Sequence, residues 1–161
     1  VAERPAVNAS PLIFLSRAGL LDLLLLLSPE VIVPETVAAE IERRGPNDPT
    51  AQAIANTGWL VVTQTPPIPP QIQAWGLGQG ESSVLAWAHA HPDTEAILDD
   101  LAARRCAAAL NIPVRGTLGL VLIAKQRGLI TAARPVLLQL RQGGMYLSDQ
   151  VMNQALALVG E

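Results

Sequence analysis

Aromatic side chains are scarce in this chain: three Trp, one Tyr and one Phe, or 3% of 161 residues. Half the residues are nonetheless apolar, so any core must be built from Ala, Leu, Val and Ile. Such a core suits helices packed tightly on a sheet. A single cysteine, Cys106, excludes an internal disulfide framework and a multi-cysteine metal site. It lies in an alanine-rich helical stretch and reads as a small core residue. Excess positive charge is also missing. The formal net charge is −3, so no overall basic field attracts nucleic acid, and contact with phosphate would need a local patch or a metal. Long hydrophobic runs are absent too. The longest, Leu20–Leu27, is interrupted by Asp22 and falls far short of the ~20 residues that span a bilayer. With no signal-like segment visible, the expectation is a cytoplasmic protein without membrane contact.

What the chain does have is length for one domain with a real core, and residues 1–161 read as a single domain. Short apolar strands alternate with helices. Strands are expected to end at Ala6-Val7 and to cover Val31–Val33, Trp59–Thr63, Glu95–Leu98 and Pro113–Arg115. Helices are expected from Ser10-Pro11 to Gly19 and over Leu20–Leu27, Glu35–Arg44, Thr50–Thr57, Glu81–His91, Asp100–Asn111, Thr117–Arg127 and Ala132–Gln142, with a last one capped by Ser148. Thr65–Pro70, with four prolines in six residues, is a connector. Alternation of this kind predicts an α/β fold: a three-layer α/β/α sandwich around a central, mainly parallel sheet. In such sheets the ligand site lies beyond the carboxyl ends of the strands.

Several polar residues are placed for that position. Asn8 follows the first strand, and the Asp99–Asp100 pair follows the fourth. Glu40 lies three residues beyond Val37, beside the apolar stripe of its helix, and is either turned inward or paired with Arg43 or Arg44. Glu81 shares a helix face with Val84 and Leu85. It serves either a site or the helix dipole, and Gly78 and Gly80 before it suggest a close approach to the backbone or a tight turn. One of Asp99 and Asp100 reads as a helix N-cap. The other must be neutralised by a cation, with Arg104 and Arg105 one turn away. Such pairs also occur in phosphatase-like and receiver domains. Gly116-Thr117 opens a helix and offers either a plain cap or a phosphate seat. His89 and His91 fall on different helix faces, and the scattered Trp59, Trp75 and Trp87 read as core or rim. Carboxylates meeting from separate segments make a site for a hard divalent cation.

The runs AVNASPLIFLSRAGLLDLL, VIVPETVAAEI, LGQGESSVLAWA and ILDDLAARRCAAALNIPVRGTLGLVLIAKQRGLI resemble a bacterial and archaeal branch of the PIN-like superfamily. That branch is related to the toxins of VapBC pairs. The resemblance runs from about Ala6 to Leu147. It implies a metal-dependent ribonuclease or nucleic-acid-binding protein with magnesium or manganese in an acidic pocket. RNA is the implied substrate, and a small antitoxin protein a possible partner. Residue by residue, the four acidic positions fall on Asn8, Glu40, Glu81 and Asp99 or Asp100. Glu40, Glu81, Asp99 and Asp100 are thereby the catalytic candidates, and Asn8, Glu81, Asp99 and Asp100 the metal ligands. Arg104, Arg105 and Thr117 are the candidate nucleic-acid contacts. Asn8 departs from the pattern by putting a neutral amide where an aspartate is usual, which favours, as the alternative, a catalytically weak PIN-fold binding module. Apolar surface on Leu20–Leu27 and Leu118–Ala124 adds the expectation of a homodimer.

Overall fold

The computed structural model describes residues 4–161. Five short strands, β1 (Ala6–Val7), β2 (Val31–Pro34), β3 (Leu60–Thr63), β4 (Ala96–Ile97) and β5 (Val114–Arg115), form one parallel sheet in the order β3-β2-β1-β4-β5. The helices are α1 (Ala9–Arg17), α2 (Glu35–Glu42), α3 (Pro49–Asn56), α4 (Pro70–Gln73), α5 (Gln79–Ala90), α6 (Leu101–Ala109), α7 (Thr117–Gln126), α8 (Ala133–Gln142) and α9 (Asp149–Leu158), with a 3-10 helix at Leu21–Leu26. This is the three-layer α/β/α arrangement expected from the alternation. The chain winds from β1 out to β3, then returns through α5 to β4 on the other side of β1. A ligand crevice belongs at such a reversal.

Pro34 closes β2, and Asp99 follows soon after β4. Val31, Ile32, Val33 and Pro34 are all buried, as befits a strand covered above and below. Fully buried Leu12, Leu15, Leu24, Ile97, Leu98, Leu120 and Leu137 continue the aliphatic core. Cys106 is buried within it, and burial pushes its thiol pKa up, which leaves it unreactive. Among the described residues, no helix is long and apolar enough to cross a membrane.

Several boundaries differ from expectation for local reasons. The first helix begins at Ala9, so Asn8 rather than Ser10 holds the N-cap position, without using its side chain as a cap. α5 begins at Gln79, which puts Gly80 inside its first turn. The Leu20–Leu27 run tightens into a 3-10 helix packed on α1 and α7, with Leu23 and Leu24 buried. In α7 the residues Leu120, Val121 and Ala124 are buried. The apolar surplus behind the expected homodimer is thus covered only in part, with Leu25 exposed and Leu20, Leu21, Leu26, Leu27, Leu118 and Leu122 half-buried. His91 is half-buried, stacked on Trp87, whose indole N–H donates to the Arg4 carbonyl.

Away from the strand ends, Asp48 and Glu161 pin helix N-termini. Asp48 caps α3 by accepting from the amides of Thr50 and Ala51, and it pairs with Arg44 at 3.0 Å. Partial desolvation works to raise its pKa, but Arg44 and the two amides outweigh it and hold the group below its usual 3.8. The amide of Ala133 chiefly, with the Arg134 amide and Lys125, lowers Glu161 in the same way. A depressed carboxylate stabilises the fold above its unfolded pKa, and that contribution disappears as pH falls through the folded value. Asp48→Asn keeps a capping oxygen but cannot ionise. Urea melts at pH steps below 3.8 should therefore show a shallower acid loss for the variant than for the wild type; parallel curves would contradict this.

Candidate functional site

β1 and β4 pair side by side, with Ala6 opposite Ala96 and Val7 opposite Ile97. The Asn8 amide extends the ladder by donating to the Ile97 carbonyl at 3.0 Å. The carboxyl ends of the two strands therefore lie together, and they carry Asn8 and Asp99. Asn8 is 3% exposed, and its side chain faces α5. A β-carbon on Gly80 would lie 2.9 Å from Asn8 Oδ1, 3.3 Å from Glu40 Oε2 and 3.4 Å from Val37 Cγ2. A side chain on residue 80 would push the Asn8 and Glu40 side chains out of these positions. Of the two readings of these glycines, close approach is the one realised at Gly80. Glu40 belongs to an exposed stretch of α2, yet its carboxylate reaches this point, while Arg44 turns instead to Asp48.

Glu81 is half-buried, and its Oε2 comes within 2.6 Å of where a β-carbon on Gly78 would stand. It lines a cleft of about 920 Å³ together with Ser10, Asp99, Asp100, Arg104 and Arg115. The two aspartates divide the work that the sequence left open. Asp100 is the N-cap of α6, accepting from the Ala103 amide at 2.9 Å. Asp99 reaches across to α7. Its Oδ1 accepts from the Thr117 amide at 2.8 Å and its Oδ2 from the Thr117 hydroxyl at 2.7 Å. α7 has no cap of its own at Gly116. Asp99 supplies one from a different segment, with negative charge at the positive end of the helix.

This settles where the basic and hydroxyl candidates stand. Thr117 is fully buried, its hydroxyl and amide both engaged by Asp99. Of the two readings of this helix start, a cap or a phosphate seat, the cap is the one that Asp99 supplies. Arg104 lines the cleft, donates to the Leu98 carbonyl at 3.2 Å, and packs with Asp99 Oδ1 over Gly116. Arg105 is exposed and lies outside the cleft lining. Arg115 makes a two-pronged pair with Glu95, at 3.0 and 3.2 Å. Sequence patterning missed Arg115, Ser10 and Tyr146 as cleft residues, because nothing in their local sequence marks which loop faces which strand end.

A model of one family, described as a PIN domain, matches residues 5–161. The chain belongs to the PIN-domain family. No curated protein and no solved structure matches it. PIN-domain membership brings a nuclease or nucleic-acid-related function, and PIN domains generally use divalent metal ions. The donors of this PIN domain fit such an ion in kind: the amide oxygen of Asn8 and the carboxylates of Glu40, Glu81 and Asp99 are hard oxygens, suited to magnesium or manganese. The glycine cradle at Gly80 brings two of them to one point. They are not drawn into one cluster, since no three His, Cys, Asp or Glu side chains among the described residues form a group able to hold a metal ion.

The Asp99–Thr117 pair gives a direct test. Thr117→Val keeps the shape but leaves a carboxylate oxygen without its donor, and should cost about 2 kcal/mol, the usual worth of a hydrogen bond to a charged group. Thr117→Ser keeps the donor and should lose only a buried methyl, about 1 kcal/mol. Chemical denaturation of both variants measures the difference. No loss in Thr117→Val would mean that the hydroxyl contributes nothing.

Proposed function

We propose that this PIN domain is a metal-dependent ribonuclease acting at the cleft between the ends of β1 and β4. The observation that carries the reading is the meeting of Asn8 and Asp99 at adjacent strand ends, at the point where the strand order reverses. Glu81 and Asp99 are the residues to hold magnesium or manganese, with the Asn8 amide oxygen as a neutral donor. When bound, such an ion polarises the phosphate and activates water for attack. Glu40, reaching the Gly80 cradle from α2, would complete the shell of such an ion or orient a water. Arg104 offers a guanidinium to the phosphate from the cleft wall. Asp100 and Thr117 serve the frame: one caps α6 and the other fixes Asp99. The biological setting that goes with this chemistry is a toxin held by a small antitoxin, which a short neighbouring reading frame for a DNA-binding fold would mark.

A second reading, binding without cleavage, is favoured by one specific pair of facts. Asn8 removes a charge from the donor set, and Asp99 already has both oxygens engaged by Thr117.

Asn8→Asp separates the two. A new carboxylate beside Glu40 adds like-charge repulsion, so the metal-free variant should melt below the wild type. Manganese should then raise its melting temperature by more than it raises that of the wild type, because a ligand bound only by the folded state stabilises that state. RNA cleavage should increase in the variant and vanish in Asp99→Asn. No manganese shift in either protein would remove the metal site. A shift without cleavage would leave the binding module.

A further inference from the structure

The chain's one Tyr and one Phe line the same cleft as Glu81 and Asp99. Phe14 is half-buried beneath the 143–147 segment. Tyr146 is the reverse: 91% of it is exposed, the most of any large hydrophobic side chain described. Its exposure is enforced by its neighbours. Met145 and Leu147 are buried on either side, at 8% and 6% exposed. The Met145 amide donates to the Leu140 carbonyl at 3.1 Å, and the Leu147 carbonyl accepts from Arg141 at 3.4 Å. An extended segment fixed in this way points its middle side chain outward. The ring contributes almost nothing to the core, yet it lines the same cleft as Arg104.

We infer that Tyr146 is a stacking platform for an unpaired base of single-stranded RNA whose phosphate lies toward Arg104; this rests on the ribonuclease reading of the cleft. Two physical points support it. Every base has a flat π-face, and an exposed aromatic ring beside a cation is the usual way to hold a single strand without reading its sequence. Arg104 donates to a backbone carbonyl rather than a carboxylate, so its charge is available to a phosphate. A protein partner is less well served. A stable protein interface covers about 800 Å² on each side, and the exposed large apolar side chains of this cleft are only Leu101, Tyr146 and Val151. A base needs one ring.

Anisotropy titrations of a short labelled single-stranded RNA, with calcium in place of magnesium to suppress cleavage, test the assignment. Tyr146→Ala should weaken binding by about tenfold, the effect of losing one base–aromatic stack. Tyr146→Phe and Tyr146→Trp should bind like the wild type. Thermal melts should stay unchanged, since the ring is exposed. Scanning one abasic position along the RNA should find a position that costs the wild type the same factor and costs Tyr146→Ala nothing further. Wild-type affinity in Tyr146→Ala would overturn the platform while leaving the ribonuclease reading intact. So would loss of self-association in light scattering with RNA affinity unchanged, which would assign the ring to a protein interface. Failure of the wild type to bind RNA at all would overturn both.

Discussion

The hydrogen-bonded pairing of β1 with β4, extended by the Asn8 amide on the Ile97 carbonyl, holds together the two strand ends on which the site is built. The chain leaves β1 toward β2 and leaves β4 toward β5, so the connections diverge and a crevice opens between them. Parallel strands need long crossovers, and those crossovers deliver α2 and α5 with Glu40 and Glu81. The β1–β4 pair sets the strand ends toward which those two helices bring their acids, Glu40 at Gly80 and Glu81 in the cleft.

Around that frame, two glycines set the separations. Gly80 admits Asn8 and Glu40 to the first turn of α5, and Gly116 admits Arg104 and Asp99 to the start of α7. The missing side chains let polar groups come closer to a helix than any β-carbon permits. The two contacts are not equivalent. At Gly80 the approaching oxygens leave the helix start uncapped. At Gly116 the carboxylate is drawn in as a cap by Thr117. There the carboxylate is fixed by two hydrogen bonds to Thr117.

Asn8 takes its meaning from this division. As an aspartate it would add a charge next to Glu40 at 3% exposure, where water can do little to relieve the repulsion. As an amide it packs there without that conflict and retains an oxygen donor. The same side chain sits at an N-cap position and does not cap, although Asn is among the best capping residues. Its orientation toward α5 is therefore set by the pocket rather than by its own helix.

Much of the frame was legible in the sequence because it depends on local rules. Continuous apolar runs such as Val31–Val33 give buried strands. Asp48-Pro49 and Ser148 mark helix starts through capping geometry, and strand-end polar residues fall where a parallel sheet exposes them. Even the close approach at Gly80 was hinted at by its glycine. The tertiary structure decided the rest. Asp99 and Asp100 are chemically alike and adjacent, and only the placement of α7 across the sheet made one a partner of Thr117 and left the other as a cap. Thr117 became buried for the same reason. Tyr146 entered the cleft because Met145 and Leu147 found core positions on either side of it. Patterning encodes which residues prefer the interior. Which distant segments face one another depends on packing between segments, and no local stretch of sequence contains that information.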